Sequence, residues 1–292
     1  MPRGHRTTYR SILTVLLLGL FAGTASAEPP KQIMFPVIGP VQYTNDFGAP
    51  RSGHSHRGND LMAARKAPVV AVEAGRVERP RWSSSDCSLI LTGESGTEYW
   101  YLHLNNDRTQ RDDNGGGCRN GISYARDLRS GMHVRAGQLI GYVGNSGNAG
   151  GGSPHLHFEL HPEGSGAVSP YKWLRAAPRL LYAVPGSAAR VRLALYGNVK
   201  EIGMSFGVGV SRIAVSTGWR GTPAIGRVSL SYAEGLVVER QTKPGALDLA
   251  PLASARAGEK VSVWTSWFAP TLATQMAGAN VLAASKIRLR GL

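Results

Sequence analysis

The sequence predicts a mainly β protein with two units. An antiparallel β-sheet domain is expected over residues 41–177. A second all-β domain is expected over 178–292, for which a sandwich is one arrangement. Three observations lead there. Short apolar runs alternate with Gly turns along nearly the whole chain. Helical periodicity is scarce. The composition, 42% hydrophobic with 37 Gly and 17 Pro, is that of a turn-rich globular protein. A length of 292 residues suits one large or two modest domains and is enough to bury a real core.

The elements follow in chain order. Residues 1–27 have the three parts of a secretory signal peptide: Arg3, Arg6 and Arg10, an apolar run from Ile12 to Ala22, and Ala25-Ser26-Ala27 for cleavage. That run is shorter than the roughly 20 apolar residues needed to span a bilayer. No later segment is long and apolar enough to span, so the expected location is secreted, in a periplasm or outside the cell. Residues 28–40 (EPPKQIMFPVIGP) read as an extended, Pro-rich lead-in. Strands are expected at VVAVEAG (69–75), SLILTG (88–93), EYWYLHL (98–104), QLIGYVG (138–144) and HLHFEL (155–160). Residues 105–130 are charged and Gly-rich and read as an exposed insertion with a short helix around Ile122–Leu128. After SPYKWL (169–174), Pro178 marks the boundary. RVRLALYG, RVSLSYAEG, GLVVERQ and KVSVWTSWF then supply the strands of the second domain, which has no His, no Cys and no catalytic cluster.

The formal charge is +14, from 33 Lys and Arg against 19 Asp and Glu. A basic secreted protein is drawn to anionic polymers of the cell wall, or owes its charge to solubility alone. No nucleic-acid module is present. Cys87 and Cys118 are the two cysteines. Export permits a disulfide, and Cys118 lies in a Gly-rich loop that needs an anchor, so a bridge is favoured over two free thiols. It would close a loop of about thirty residues, worth roughly 3–4 kcal/mol in the chain-entropy model.

Two stretches carry chemistry. In HSHRGND (54–60), His54, His56 and Asp60 are all metal-ligand types, and type alone does not separate them. His56 and Asp60 stand four apart with Gly58 between, which argues for a turn rather than a helix. In SPHLHFEL (153–160), His155 and His157 project from one face of a strand while Leu156, Phe158 and Leu160 face a core. Such a pair could ligate one metal, or set one ligand beside one general base. Two imidazoles and a carboxylate suit catalytic zinc, which keeps a fourth position for water.

The combination says more than its parts. HRGND (56–60), YLHL (101–104), VRAGQLIGYVGNSG (134–147) and HLHFE (155–159), in that order, resemble the lysostaphin-type (LytM-like) zinc metallopeptidases. FGAPRSG (47–53), APVVAVEAGRV (67–77) and SPYKWL add to the likeness, which covers about 35–175. The resemblance implies one zinc ion held by His56, Asp60 and His157, with His103 and His155 as catalytic histidines. One of these would take the proton of the attacking water and return it to the leaving amine, and the other would steady the oxyanion. It also implies cleavage of peptide bonds in bacterial peptidoglycan, in cross-links or stem peptides. The run GNSGNAGGG (144–152) would form a lip beside the site. Tyr101, two before His103, would line the cleft, support that histidine, or be ordinary strand packing. His54 would sit on the rim. His133 and His161 are expected at the surface, although His161 follows the alternation of His155 and His157. The 105–130 insertion departs from the family pattern. Two other readings stand beside this one: a secreted protease on Gly-rich proteins, and a non-catalytic scaffold that activates a cell-wall amidase.

Overall fold

The computed structural model describes Met1, Pro30 and residues 32–80, 85–276 and 281–291. Apart from Met1, the signal-peptide segment lies outside the described residues. Among the described residues no helix is long and apolar enough to cross a membrane.

The N-terminal unit is built on a seven-stranded antiparallel sheet. Its spatial order is Val41–Gln42, Asn59–Ala63, His155–His161, Glu98–Leu102, Leu89–Gly93, Gly75–Glu78 and His133–Val134. The strand His155–His161 is central, paired on one side with Asn59–Ala63 and on the other with Glu98–Leu102. Its alternation divides it cleanly. Leu156, Phe158 and Leu160 are fully buried in the core with Leu61, Leu89, Leu91, Tyr99 and Tyr101. His155, His157, Glu159 and His161 therefore occupy the other face. A short pair, Pro68–Val70 with Leu139–Tyr142, packs against this core. The expected single strand at 69–75 is thus two, Pro68–Val70 and Gly75–Glu78. The described part of the 28–40 segment is extended and enters the core: Ile33, Phe35, Val37 and Ile38 are buried, and Met34 and Ile38 donate backbone hydrogen bonds to Val72 and Pro68.

The 105–130 insertion is fastened to the sheet. Cys87 and Cys118 are joined by a disulfide, as the sequence suggested. Asp112 accepts from Asn145 Nδ2 (2.6 Å), and Arg65 pairs with Asp107 and donates to Asn145 Oδ1 (2.7 Å). The expected helix at Ile122–Leu128 is not formed. Gly121 takes φ 80°, Ala125 N–H bonds to the Ile140 carbonyl on another element, and Asn120 Nδ2 binds the carbonyls of Arg126 and Leu128. These partners replace the i→i−4 ladder a helix requires.

The C-terminal strands are all-β as expected, but they close on themselves instead of stacking as two sheets. Phe206–Val215 pairs with Leu193–Ile202 and also with the start of Arg227–Lys243. With Lys260–Thr265 and Ala283–Leu289 this makes a five-stranded ring, antiparallel except where Ala283–Leu289 lies parallel to Arg227–Lys243. Leu195, Phe206, Val208, Ile213, Val263 and Ile287 fill it. The runs expected at 227–235 and 235–241 form one long strand.

Candidate active site

The five histidine and aspartate positions singled out in the sequence meet on the polar face of the central strand. His56 and Asp60 flank the start of the strand Asn59–Ala63, which pairs His157 directly with Asp60. Gly58 makes the approach possible: a Cβ there would stand 2.9 Å from His157 Nε2 and would also collide with the Phe158 carbonyl. The His-x-Gly-x-Asp spacing thus has a steric cause.

His56 Nε2, His157 Nδ1 and Asp60 Oδ1 form a triangle with sides of 2.9–3.0 Å. Their outer partners fix the tautomers. His56 Nδ1 faces the Asp46 carbonyl at 2.9 Å, and His157 Nε2 faces Glu159 Oε1 at 2.9 Å, so each of those nitrogens carries a proton. His56 Nε2, His157 Nδ1 and Asp60 Oδ1 are thereby turned toward one point. Three acceptors that close repel one another unless a cation lies among them. Ligands around a tetrahedral zinc at about 2.0–2.1 Å are about 3.3 Å apart, close to the spacing seen, so the residues fit the metal. His54 stands outside the triangle, exposed on the short strand His54–Ser55 with Nδ1 toward its neighbour Ser52's carbonyl (3.1 Å).

Charge follows the same geometry. Burial pushes the Asp60 carboxyl up, but the His157 hydrogen bond and the nearby imidazoles of His155 and His56 outweigh it and hold it well below the usual carboxylate range. Burial pushes His157 down, yet hydrogen bonds to Asp60 and Glu159 raise it to about 9. What these carboxylates stabilise is positive charge at Nδ1, whether a proton or a metal supplies it.

His155 and His103 flank the triangle. His155 Nε2 lies 3.8 Å from Asp60 Oδ1, and its Nδ1 faces the Ser153 carbonyl at 2.9 Å. His103 packs edge-on to His155 with ring centroids 5.2 Å apart, and its Nδ1 faces the Ser146 carbonyl at 3.0 Å. In both rings a carbonyl partner makes Nδ1–H the donor. Burial, with His155 beside it, lowers His103 to about 4, so the ring is neutral near pH 7. The 144–152 lip thus reaches His103 through Ser146 and runs up to Ser153, which holds His155. The insertion holds the lip in turn.

Tyr101 is core packing and does not line the cleft. It is fully buried, and its hydroxyl accepts from Val72 N–H at 3.0 Å. Strict alternation would have put His103 on that same inner face. The strand ends at Leu102, and His103 takes a left-handed φ of 59°, which turns it out of the alternation. His133 is exposed as expected, but His161 is buried, 7% exposed. Sequence reading also missed Asp46, Glu159 and Arg51, whose Nη2 donates to Asp60 Oδ2 at 2.9 Å. Glu159 was legible only as the next position on the His155–His157 face.

A cleft of about 560 Å³ opens beside His56, lined by Phe47, Arg57, Glu98, Trp100 and His161 among others. A larger hollow of about 850 Å³, bounded by Tyr142, Arg126 and Trp219, touches none of the five residues. Volume alone would select it, but no cluster of acceptors converges there, so the chemistry is assigned to the smaller cleft.

Comparison with known proteins agrees with the resemblance read from the motifs. Residues 120–170 match the model of peptidase family M23. The L-Ala--D-Glu endopeptidase of Bacillus subtilis is 28% identical over 136 residues, 44% of this chain and 36% of the relative. The murein hydrolase activator EnvC of Escherichia coli is 29% identical over 170 residues, 58% of this chain and 35% of the relative. Among solved structures, the catalytic domain of lysostaphin from Staphylococcus simulans is 25% identical with a TM-score of 0.33, covering 48% of this chain and 89% of that one. The chain spans only about a third of the length of either curated relative.

Proposed function

We propose that this chain, M23-like by the match of residues 120–170, is a secreted zinc metalloendopeptidase that hydrolyses peptide bonds of bacterial peptidoglycan, in cross-links or stem peptides. The unit of residues 41–177 is the peptidase domain, and 178–292 forms a separate domain. The observation that carries the reading is the triangle of inward-facing atoms on His56, Asp60 and His157, with the imidazoles of His103 and His155 beside it.

His56, Asp60 and His157 would hold one zinc ion. When bound, the metal supplies Lewis acidity, which acidifies water and polarises a carbonyl. The protein's own groups do the rest. The Ser146 and Ser153 carbonyls fix Nδ1–H on His103 and His155, so each ring offers Nε2 as a base. One of the two takes the proton of the attacking water and delivers it to the departing amine. The other would take a proton from solvent at Nε2 before the attack, hydrogen-bond with it to the developing oxyanion, and keep it through the turnover. Arg51 fixes the outer oxygen of Asp60, leaving Oδ1 directed inward. The cleft at Trp100 and Arg57 receives the peptide.

The match to EnvC, whose name is that of an activator, favours a second reading: a scaffold that switches on a cell-wall amidase. Retention of all five side chains in one convergent cluster argues for catalysis. The deciding experiment is amine release from purified peptidoglycan by the zinc-loaded protein, with His155→Ala as control. New amino termini from wild type alone support the peptidase and identify the bond. One zinc bound in both proteins with no release from either would turn the assignment to the scaffold or to a protein substrate. Normal zinc content in His157→Ala would refute the ligand set.

A further inference from the structure

Glu159 and His161 take no part in the proposed bond cleavage, yet both are buried, at 5% and 7% exposure. They share the face of His157 on the strand His155–His161. The Glu159 carboxylate lies between two imidazoles: Oε1 accepts from His157 Nε2 at 2.9 Å and Oε2 accepts from His161 Nε2 at 2.6 Å. His161 is held in turn. Its Nδ1 lies 3.3 Å from the Ser165 carbonyl, and the Trp100 indole stacks on its ring with centroids 4.4 Å apart and planes 19° from parallel. Trp100 is the direct cross-strand partner of Glu159, so sheet register sets the stack.

A buried carboxylate is costly unless its oxygens are hydrogen-bonded, and both of these are. The arrangement leaves Glu159 one orientation. Held there, it engages His157 Nε2 and so aims Nδ1 at His56 and Asp60.

Resting on the zinc reading above, we propose that Glu159 is the positioning residue of the metal ligand His157, and that His161, pressed between Trp100 and Glu159, holds that carboxylate in place. The chain Trp100–His161–Glu159–His157 therefore tunes metal affinity. Outer partners of this kind typically change affinity 10–100-fold.

The test measures zinc affinity by competition with a chromophoric chelator, and the visible spectrum of the cobalt-substituted protein, in the full chain. Glu159→Gln keeps the side-chain volume and should weaken zinc roughly 10–100-fold and alter the cobalt spectrum. His161→Phe keeps a ring on Trp100 but loses the donor, and should weaken zinc less, in the same direction. Melting of the metal-free proteins reports any structural effect separately. Wild-type affinity and an unchanged cobalt spectrum in Glu159→Gln, whatever its melting temperature, would overturn the proposal. Unchanged affinity in His161→Phe alone would overturn the part given to His161. Failure of the wild type itself to bind zinc, with His157→Ala indistinguishable from it, would overturn the metal reading and this proposal together.

Discussion

Removing the Cys87–Cys118 bridge is expected to destabilise the N-terminal unit and loosen its active site. The two cysteines are 31 residues apart. In the chain-entropy model a loop of that length corresponds to about 3.7 kcal/mol at 25 °C. For a unit of roughly 150 residues each kcal/mol shifts the melting point by about 2–4 °C, giving a fall of about 7–15 °C. The local consequence follows from the hydrogen bonds around Cys87. Its N–H donates to Ser146 Oγ (3.0 Å), and the Ser146 carbonyl holds His103. Losing the bridge therefore frees the segment that orients a catalytic candidate, and turnover should fall as well as stability. The assay is thermal melting of oxidised wild type, reduced wild type and the Cys87→Ala/Cys118→Ala double variant. Reduction and double substitution should shift the same transition by similar amounts, which separates the cross-link from side-chain truncation. Two titratable thiols in the unreduced protein, or an unchanged melting point on reduction, would refute the reasoning.

Other consequences can be measured more simply. Tyr101→Phe removes the acceptor of a buried N–H at Val72 and should cost about 1–3 kcal/mol in denaturant unfolding. Peptidase activity should survive, and its loss at normal stability would return Tyr101 to the cleft. Gly58→Ala drives a methyl group against His157 and the Phe158 carbonyl. It should lower both zinc content and melting temperature, and wild-type values for both would mean the strands part without cost. In the barrel, the hydrogen bond from Lys286, helped by Arg288, holds the Glu239 carboxyl below its ordinary 4.5. Since the folded value is the lower one, the stabilisation is complete above pH 4.5 and disappears as pH falls through the folded value. Glu239→Gln should accordingly flatten the acid side of the barrel's melting curve, and parallel curves for the two proteins would exclude it.

Most of the N-terminal sheet was legible because its signal is local. In HLHFELH, alternation alone sends three apolar side chains inward and four polar ones outward, and the strand is found where it was read. The Cys87–Cys118 pair was legible from composition and loop chemistry. What escaped depends on partners distant in sequence. Residue type alone did not separate His56 from His54; the resemblance did, and the physical reason, the Gly58 approach to a strand a hundred residues later, needs the fold. The burial of His161 is set by Trp100 from the neighbouring strand and by the 162–165 turn. The barrel closes through Phe206–Val215 meeting Arg227–Lys243, a choice of pairing that alternation does not encode. The resemblance named His103, but its turn out of the alternation escaped for a different reason. A left-handed φ on a non-Gly residue costs of order 1 kcal/mol, and local sequence does not announce it.

That last departure explains how a single sheet face holds groups of opposite need. The proposed ligands His157 and Asp60 sit in direct register on paired strands, where backbone hydrogen bonds fix their separation. Rigidity is what a metal site requires, and the core side chains Leu156, Phe158 and Leu160 supply it. A slip of one residue would bury all four polar side chains and expose the apolar ones. The proposed catalytic imidazoles instead lie where regular structure ends. His155 begins its strand and His103 follows the end of another, and each is steadied by a carbonyl near the 144–152 lip. A ring that must gain and lose a proton within one turnover benefits from such a place, since a single hydrogen bond at Nδ1 orients it while Nε2 stays open. The sheet thus fixes the proposed metal ligands in its interior register and leaves the proposed proton carriers at its margins.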